Sequence, residues 1–185
     1  MTKILFVCHG NICRSPMAEF VMKDLVKKAG LDSQFHIESA ATSTEEIGNP
    51  VYPPVRRILA EHGINCVGKT ARQLKKKDYA LYDLLIGMDR ANLRNMHRIC
   101  SGDCDGKLHL LSEFADRSRG GPQHKPGEAR ERPEFSPQVE SGPCCDEVAD
   151  PWYTGDFGTT WLDVLAGCQG LLRSLQSVET TPAGG

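Results

Sequence analysis

The chain has 185 residues, 39% of them hydrophobic and 25% charged, which fits one soluble globular domain with a core of ordinary size. Lysine and arginine number 22 against 24 aspartate and glutamate, so no general basic field argues for nucleic acid or an anionic membrane surface as a partner. The apolar run after Met1-Thr2-Lys3 is too short for a signal-peptide core or a membrane span, which points to a cytoplasmic protein whose eight cysteines are reduced.

Ile4–Val7 is a continuous apolar run, the pattern of a strand buried on both faces of a parallel sheet. A loop follows, and then Ser15-Pro16, a good helix cap before a proline suited to the first helical turn. Ala18, Val21, Met22, Leu25 and Ala29 recur at helical spacing, and Gly30 can end that helix. The alternation continues: a strand over Phe35–Ala40, a helix from Pro54 to Glu61, and a strand at Leu84–Ile86. Asp89 can cap a helix carrying Leu93 and Met96, a fourth strand is expected at Leu108–Leu111, and a last helix from about Phe157 to Leu175. Strands alternating with helices imply an α/β fold, a parallel sheet with right-handed crossovers. Residues 117–147 hold five prolines, four glycines and almost no apolar side chains, so they read as a flexible insertion within a single domain over 1–176. The adjacent thiols Cys144 and Cys145 lie in that stretch, and the tail 177–185 reads as disordered.

The chemistry concentrates in Cys8-His9-Gly10-Asn11-Ile12-Cys13-Arg14-Ser15-Pro16, between the first strand and the first helix. Five residues between Cys8 and Arg14 let the backbone curl around one tetrahedral anion, with successive N–H groups pointing inward. Gly10 and Asn11 tolerate the positive φ that a tight curl needs. The helix N-terminus adds positive field, and Arg14 offers a planar fork that matches two phosphate oxygens. The same groups favour the thiolate of Cys8, to which the Ser15 hydroxyl can add a hydrogen bond, so Cys8 is placed as a nucleophile toward phosphorus. Thiolate attack on a phosphate monoester needs an acid for the leaving oxygen. Asp150-Pro151 is the best candidate, followed by Trp152 and Tyr153, which can wall a pocket and stack on an aryl group. The Gly-x4-Gly-Lys pattern of nucleotide-binding loops is absent. His97, Cys100, Cys104 and His109 could be drawn as a zinc site, but they straddle a helix end and a strand, and incidental cysteines are the favoured reading. Lys75–Lys77 reads as a solvated face.

Cys8–Pro16 resembles the signature of the low-molecular-weight protein tyrosine phosphatase family. The likeness extends to Ser39–Thr44, Ala71-Arg72-Gln73, Met88-Asp89 with Asn92-Leu93-Arg94, and Asp150-Pro151 before a final helix. The resemblance implies a four-stranded parallel sheet flanked by helices and phosphotyrosine hydrolysis with no cofactor and no metal. It implies that Cys8 forms a phosphocysteine and that Arg14 and the amides of residues 9–14 hold the phosphoryl oxygens. Asp150 then protonates the phenol and activates water. His9, Gly10, Asn11, Ile12, Cys13, Ser15, Trp152 and Tyr153 fall to substrate binding, Ser39 and Arg72 to support of the loop, and Cys13 to a redox partner for Cys8. A phosphotyrosine protein is the implied substrate, with a tyrosine kinase as counterpart and a monomer as the acting form. Arsenate reduction and phosphoarginine hydrolysis are alternatives on the same fold. The first needs a cysteine relay that Cys66, Cys100 and Cys104 do not visibly form, and the second goes with threonine where this chain has Ile12. Two departures bear on specificity: Glu45 stands where an aromatic wall is common, and Lys69, read as a solvated charge, stands in place of a histidine.

Overall fold

The computed structural model describes residues 1–115 and 147–179. The expected insertion at 117–147, with Cys144 and Cys145, falls outside the described residues except for Glu147, as does the expected tail beyond residue 179.

Four parallel strands, β1 (Thr2–Cys8), β2 (Phe35–Ala41), β3 (Leu84–Gly87) and β4 (Leu108–Leu110), form one sheet in the order β2-β1-β3-β4. The helices are α1 (Arg14–Lys28), α2 (Pro53–Glu61), α3 (Lys76–Leu81), α4 (Arg90–Cys100), α5 (Pro151–Thr154) and α6 (Phe157–Glu179). The uninterrupted apolar run of β1 belongs in the middle of the sheet, where both faces are covered. Its side chains alternate between two cores: Ile4, Phe6 and Cys8 pack with Met17, Val21, Val164 and Cys168 of α1 and α6, while Leu5 and Val7 join Leu74, Leu85 and Met96. Cys8 ends β1, where the chain leads to β2 on one side while β3 lies on the other. That is the switch point at which open α/β sheets bind ligands beyond the strands' carboxyl ends.

Several boundaries differ from the sequence reading. The first helix starts at Arg14 with Cys13 in the cap position, and no side chain caps it; the Ser15 hydroxyl is turned to the cysteine sulfur instead. Leu111 leaves the fourth strand to open a 3-10 turn, Leu111–Phe114. The last helix runs four residues beyond Leu175, so the first three residues of the expected tail, 177–179, are helical. The exposed lysines Lys76 and Lys77 begin the unforeseen α3, where the Asp78 carboxylate accepts from the Lys75 N–H at 2.7 Å. On α6, Gly167 and Gly170 face the 3-10 turn: a Cβ at Gly167 would lie 2.5 Å from Leu111 Cγ, and one at Gly170 2.7 Å from the Phe114 carbonyl carbon. Two missing side chains therefore set how closely α6 meets the end of the sheet.

Candidate active site

The loop between β1 and α1 closes around the sulfur of Cys8. The Asn11 N–H points at Sγ from 3.3 Å, and the Ser15 hydroxyl lies 3.0 Å away. Asn11 takes the left-handed conformation, φ 59, that the curl was expected to require of it or Gly10. The Ile12 carbonyl accepts from the Tyr52 N–H at 2.9 Å, which pins the outer side of the loop to the start of α2.

The hydrogen bonds behind the loop have one consistent direction. The Arg72 backbone N–H donates to Asn11 Oδ1 at 3.1 Å, which leaves Asn11 Nδ2 to donate to Ser15 Oγ at 2.9 Å and Ser39 Oγ at 2.8 Å. Ser15 thereby accepts from Asn11, and its own proton is free for the sulfur. Ser39 passes its proton to Glu19 Oε2 at 2.6 Å. Glu19 is buried, and its carboxylate is held by Lys69 Nζ at 2.8 Å and Lys23 Nζ at 2.5 Å. Lys69 also donates to the Ser39 carbonyl at 3.1 Å. The expectation of a solvated Lys69 is thus corrected: a buried carboxylate in the middle of α1 needs a cation, and Lys69 supplies it. The Arg72 side chain supports the same wall by bonding Asp78, Glu38 and Tyr82.

Arg14 is buried, its side chain 3% exposed, and lies between two carboxylates. Nη1 donates to Asp89 Oδ2 at 2.6 Å and to the Val148 carbonyl at 3.1 Å, and Nη2 donates to Asp150. Burial alone would lower the basicity of Arg14, but the charges of Cys8, Asp150 and Asp89 outweigh it and raise it, so the guanidinium is always charged. Cys13 is buried in the same loop. Burial, and then the charges of Cys8 and Asp150, push its thiol up to about 12, so at neutral pH it is a neutral SH.

Asp150 reaches Arg14 because the Val148 N–H bonds the Met88 carbonyl at 2.9 Å, hanging this segment on the end of β3. The loop expected at Asp150-Pro151 is instead one helical turn, α5, capped by Asp150 Oδ1 on the Trp152 N–H at 3.1 Å. Trp152 packs on Tyr52 with ring centroids 5.4 Å apart. Trp152 and Tyr153 are well exposed and line a cavity of about 140 Å³ that has Cys8, Ile12, Cys13 and Arg14 among its walls. His9 and Gly10 line it too, as do Glu45 and Glu46, and His9 Nε2 lies 3.1 Å from Glu45 Oε2.

The structure therefore gathers Cys8, His9, Gly10, Ile12, Cys13, Arg14, Asp150, Trp152 and Tyr153 at one cavity and sets the side chains of Asn11, Ser15, Ser39 and Arg72 behind it. Sequence reasoning missed Glu19, Lys69 and Asp89 as supports, and Glu46 as a wall. Glu19 had a local signal, a charge flanked by the buried Ala18 and Val21 of an otherwise apolar stretch. Among the described residues no three His, Cys, Asp or Glu side chains converge as a metal cluster, and no helix is long and apolar enough to cross a membrane.

The family profile described as low molecular weight phosphotyrosine protein phosphatase matches residues 3–126. The chain is 34% identical over 176 residues to the low molecular weight protein-tyrosine-phosphatase YfkJ of Bacillus subtilis, across 95% of this chain and 97% of that one. The crystal structure of YfkJ superposes with a TM-score of 0.78 at 31% identity, covering 98% of both chains. That of SP-PTP, a low molecular weight protein tyrosine phosphatase from Streptococcus pyogenes, superposes with a TM-score of 0.73 at 35% identity, covering 97% of this chain and 99% of that one. With the profile spanning more than half of the chain and YfkJ matched nearly from end to end, the chain belongs to the low molecular weight phosphotyrosine protein phosphatase family and is a phosphatase.

Proposed function

We propose that the protein hydrolyses phosphotyrosine in proteins through a phosphocysteine formed on Cys8. The observation that carries this reading is the sulfur of Cys8, which has Asn11 N–H and the Ser15 hydroxyl as donors at the floor of a cavity walled by Trp152 and Tyr153. The cavity suits an aryl group entering phosphate first.

The geometry supports the following cycle. The phosphate enters, and one of its oxygens replaces the Asp150 carboxylate on Arg14 Nη2. Asp89 and the Val148 carbonyl keep Nη1, so the fork stays aligned. Released from Arg14, the Asp150 carboxyl serves as the acid for the departing phenol. The Cys8 thiolate attacks phosphorus, the P–O bond to the phenol breaks, and Asp150 gives its proton to the departing oxygen. Arg14 and the loop amides stabilise the charge on the equatorial oxygens. Water then attacks phosphorus as Asp150 takes a proton from it, and the S–P bond breaks with its electron pair returning to sulfur. Phosphate leaves, and the thiolate is restored with the Ser15 O–H donating to it.

Cys66 and Cys100 speak against the arsenate-reducing alternative. Both are buried, and burial pushes their thiols up, Cys100 to about 11, which suits structural cysteines better than a relay. The test is hydrolysis of p-nitrophenyl phosphate with EDTA present. Turnover by the wild type, abolished in Cys8→Ser and strongly reduced in Asp150→Ala, is the expected result. An inactive reduced wild type would overturn the reading.

A further inference from the structure

We propose that the rim of this cavity selects phosphotyrosine set among basic residues, and that Glu45 and Glu46 are the side chains that do so. The inference rests on the phosphotyrosine hydrolysis argued above and adds the sequence class of the substrate.

Both glutamates line the cavity that holds Cys8, together with Trp152 and Tyr153. Their position is fixed from both ends of the segment that carries them. The Thr42 N–H donates to the Cys8 carbonyl at 2.9 Å and the Ser43 N–H to the His9 carbonyl at 3.0 Å. At the far end the Gly48 N–H donates to the Ala71 carbonyl at 2.9 Å, and the Ala71 N–H to the Asn49 carbonyl at 2.8 Å. Glu46 lies over the phosphate loop, where a Cβ added to Gly10 would sit 3.1 Å from Glu46 Cγ, and Asn49 Nδ2 steadies its carboxylate at 2.7 Å. Glu45 is exposed beside His9.

The charges at the mouth do not balance. Arg14 is already paired with Asp89 and Asp150, and among the described residues no lysine or arginine pairs with Glu45 or Glu46, whose side-chain partners are His9 and Asn49. The two rim carboxylates add repulsion for negative charge carried by an approaching phosphopeptide. Lysine or arginine beside the phosphotyrosine turns that repulsion into attraction, and aspartate or glutamate there adds to it. Exposed ion pairs are individually weak, about two- to fivefold each, so two glutamates predict a preference of roughly tenfold between basic and acidic flanks at low salt. Ionic strength of 0.1 M, with a screening length of about 10 Å, should already reduce it.

The experiment compares kcat/KM of the full chain for phosphotyrosyl peptides of one length flanked by lysine and arginine, by alanine, or by aspartate and glutamate. The basic peptide should lead the acidic one by about tenfold at low salt, and the ratio should fall toward one as salt is added. Glu45→Gln combined with Glu46→Gln should collapse the ratio, and Glu45→Lys should move it toward the acidic peptide. Far-UV circular dichroism and thermal unfolding report that each variant is folded. Should a variant fail that check, the salt titration of the wild type decides, and a ratio that salt does not move overturns the proposal. Equal rates for the three peptides, a faster acidic peptide, or a basic preference that survives neutralisation of both glutamates also overturn it. Wild-type protein that turns over p-nitrophenyl phosphate but leaves every peptide intact refutes the phosphotyrosine reading beneath it.

Discussion

Asn11 is the residue on which the phosphate loop depends most, and the size of that dependence can be worked out. Its side chain makes three hydrogen bonds, to the Arg72 N–H, Ser15 Oγ and Ser39 Oγ, and its backbone sits at φ 59. A net value of about 1 kcal/mol per bond gives roughly 3 kcal/mol for losing all three. The left-handed backbone adds about 1 kcal/mol for alanine that glycine does not incur. Asn11→Ala should therefore lose about 4 kcal/mol and Asn11→Gly about 3, and at roughly 2–4 °C per kcal/mol their Tm values should fall by about 8–16 °C and 6–12 °C. Activity should fall as well. Without Asn11 Nδ2 the Ser15 hydroxyl is free to turn from Cys8 to the Ala40 carbonyl, 3.5 Å away, and kcat should drop by about tenfold or more as a donor to the sulfur is lost. Thermal unfolding by circular dichroism and steady-state hydrolysis of p-nitrophenyl phosphate measure the two effects. An alanine variant within about 1 kcal/mol of wild type, or a glycine variant less stable than the alanine one, would refute this reasoning.

Gly170→Ala should destabilise by more than about 3 kcal/mol, since its Cβ would meet the backbone carbonyl of Phe114 rather than a side chain that can move; an unchanged melting curve would contradict the close approach of α6. Lys69→Met should cost about 1–3 kcal/mol, less than a fully broken buried pair because Lys23 still holds Glu19, and Lys69→Arg should recover part of it; chemical denaturation reads both. For Cys13, a thiol at about 12 is protonated throughout the neutral range. Oxidation of Cys8 removes its thiolate charge, but burial, the largest cause, remains, so closure of a disulfide on peroxide-oxidised Cys8 should still accelerate as the pH rises above neutral. Trapping with iodoacetamide followed by peptide mapping gives the rate, and a plateau near pH 8 would show that Cys13 ionises there.

The elements that were legible in the sequence are those whose cause is local. The apolar run of β1, the Gly10-Asn11 curl and the periodicity of α1 and α6 each declare themselves within a few residues. The parts that were not legible are assembled by topology. Asp89 meets Arg14 from 75 positions away because β3 lies beside β1 in the sheet, and Lys69 meets Glu19 because the segment after α2 is bonded to the end of β2 at Ser39 and Ala41. Lys69 read as a surface charge because nothing near it in sequence is acidic, whereas its partner lies 50 residues earlier. The one-turn helix α5 was hidden for a different reason: Asp-Pro starts turns and helices alike, and the choice is made by the Val148–Met88 bond that hangs the segment on β3.

The alternation along β1 has a further consequence. Ile4, Phe6 and Cys8 share one face because strand side chains repeat every two residues, so the rule that sorts hydrophobic groups into their layers also aims the sulfur. A slip of one residue in the pairing of β1 would turn all of them to the wrong side together. Misregistered copies would lose packing and reactivity in the same event, so a damaged population should divide into fully competent molecules and inert ones, with few slow enzymes between.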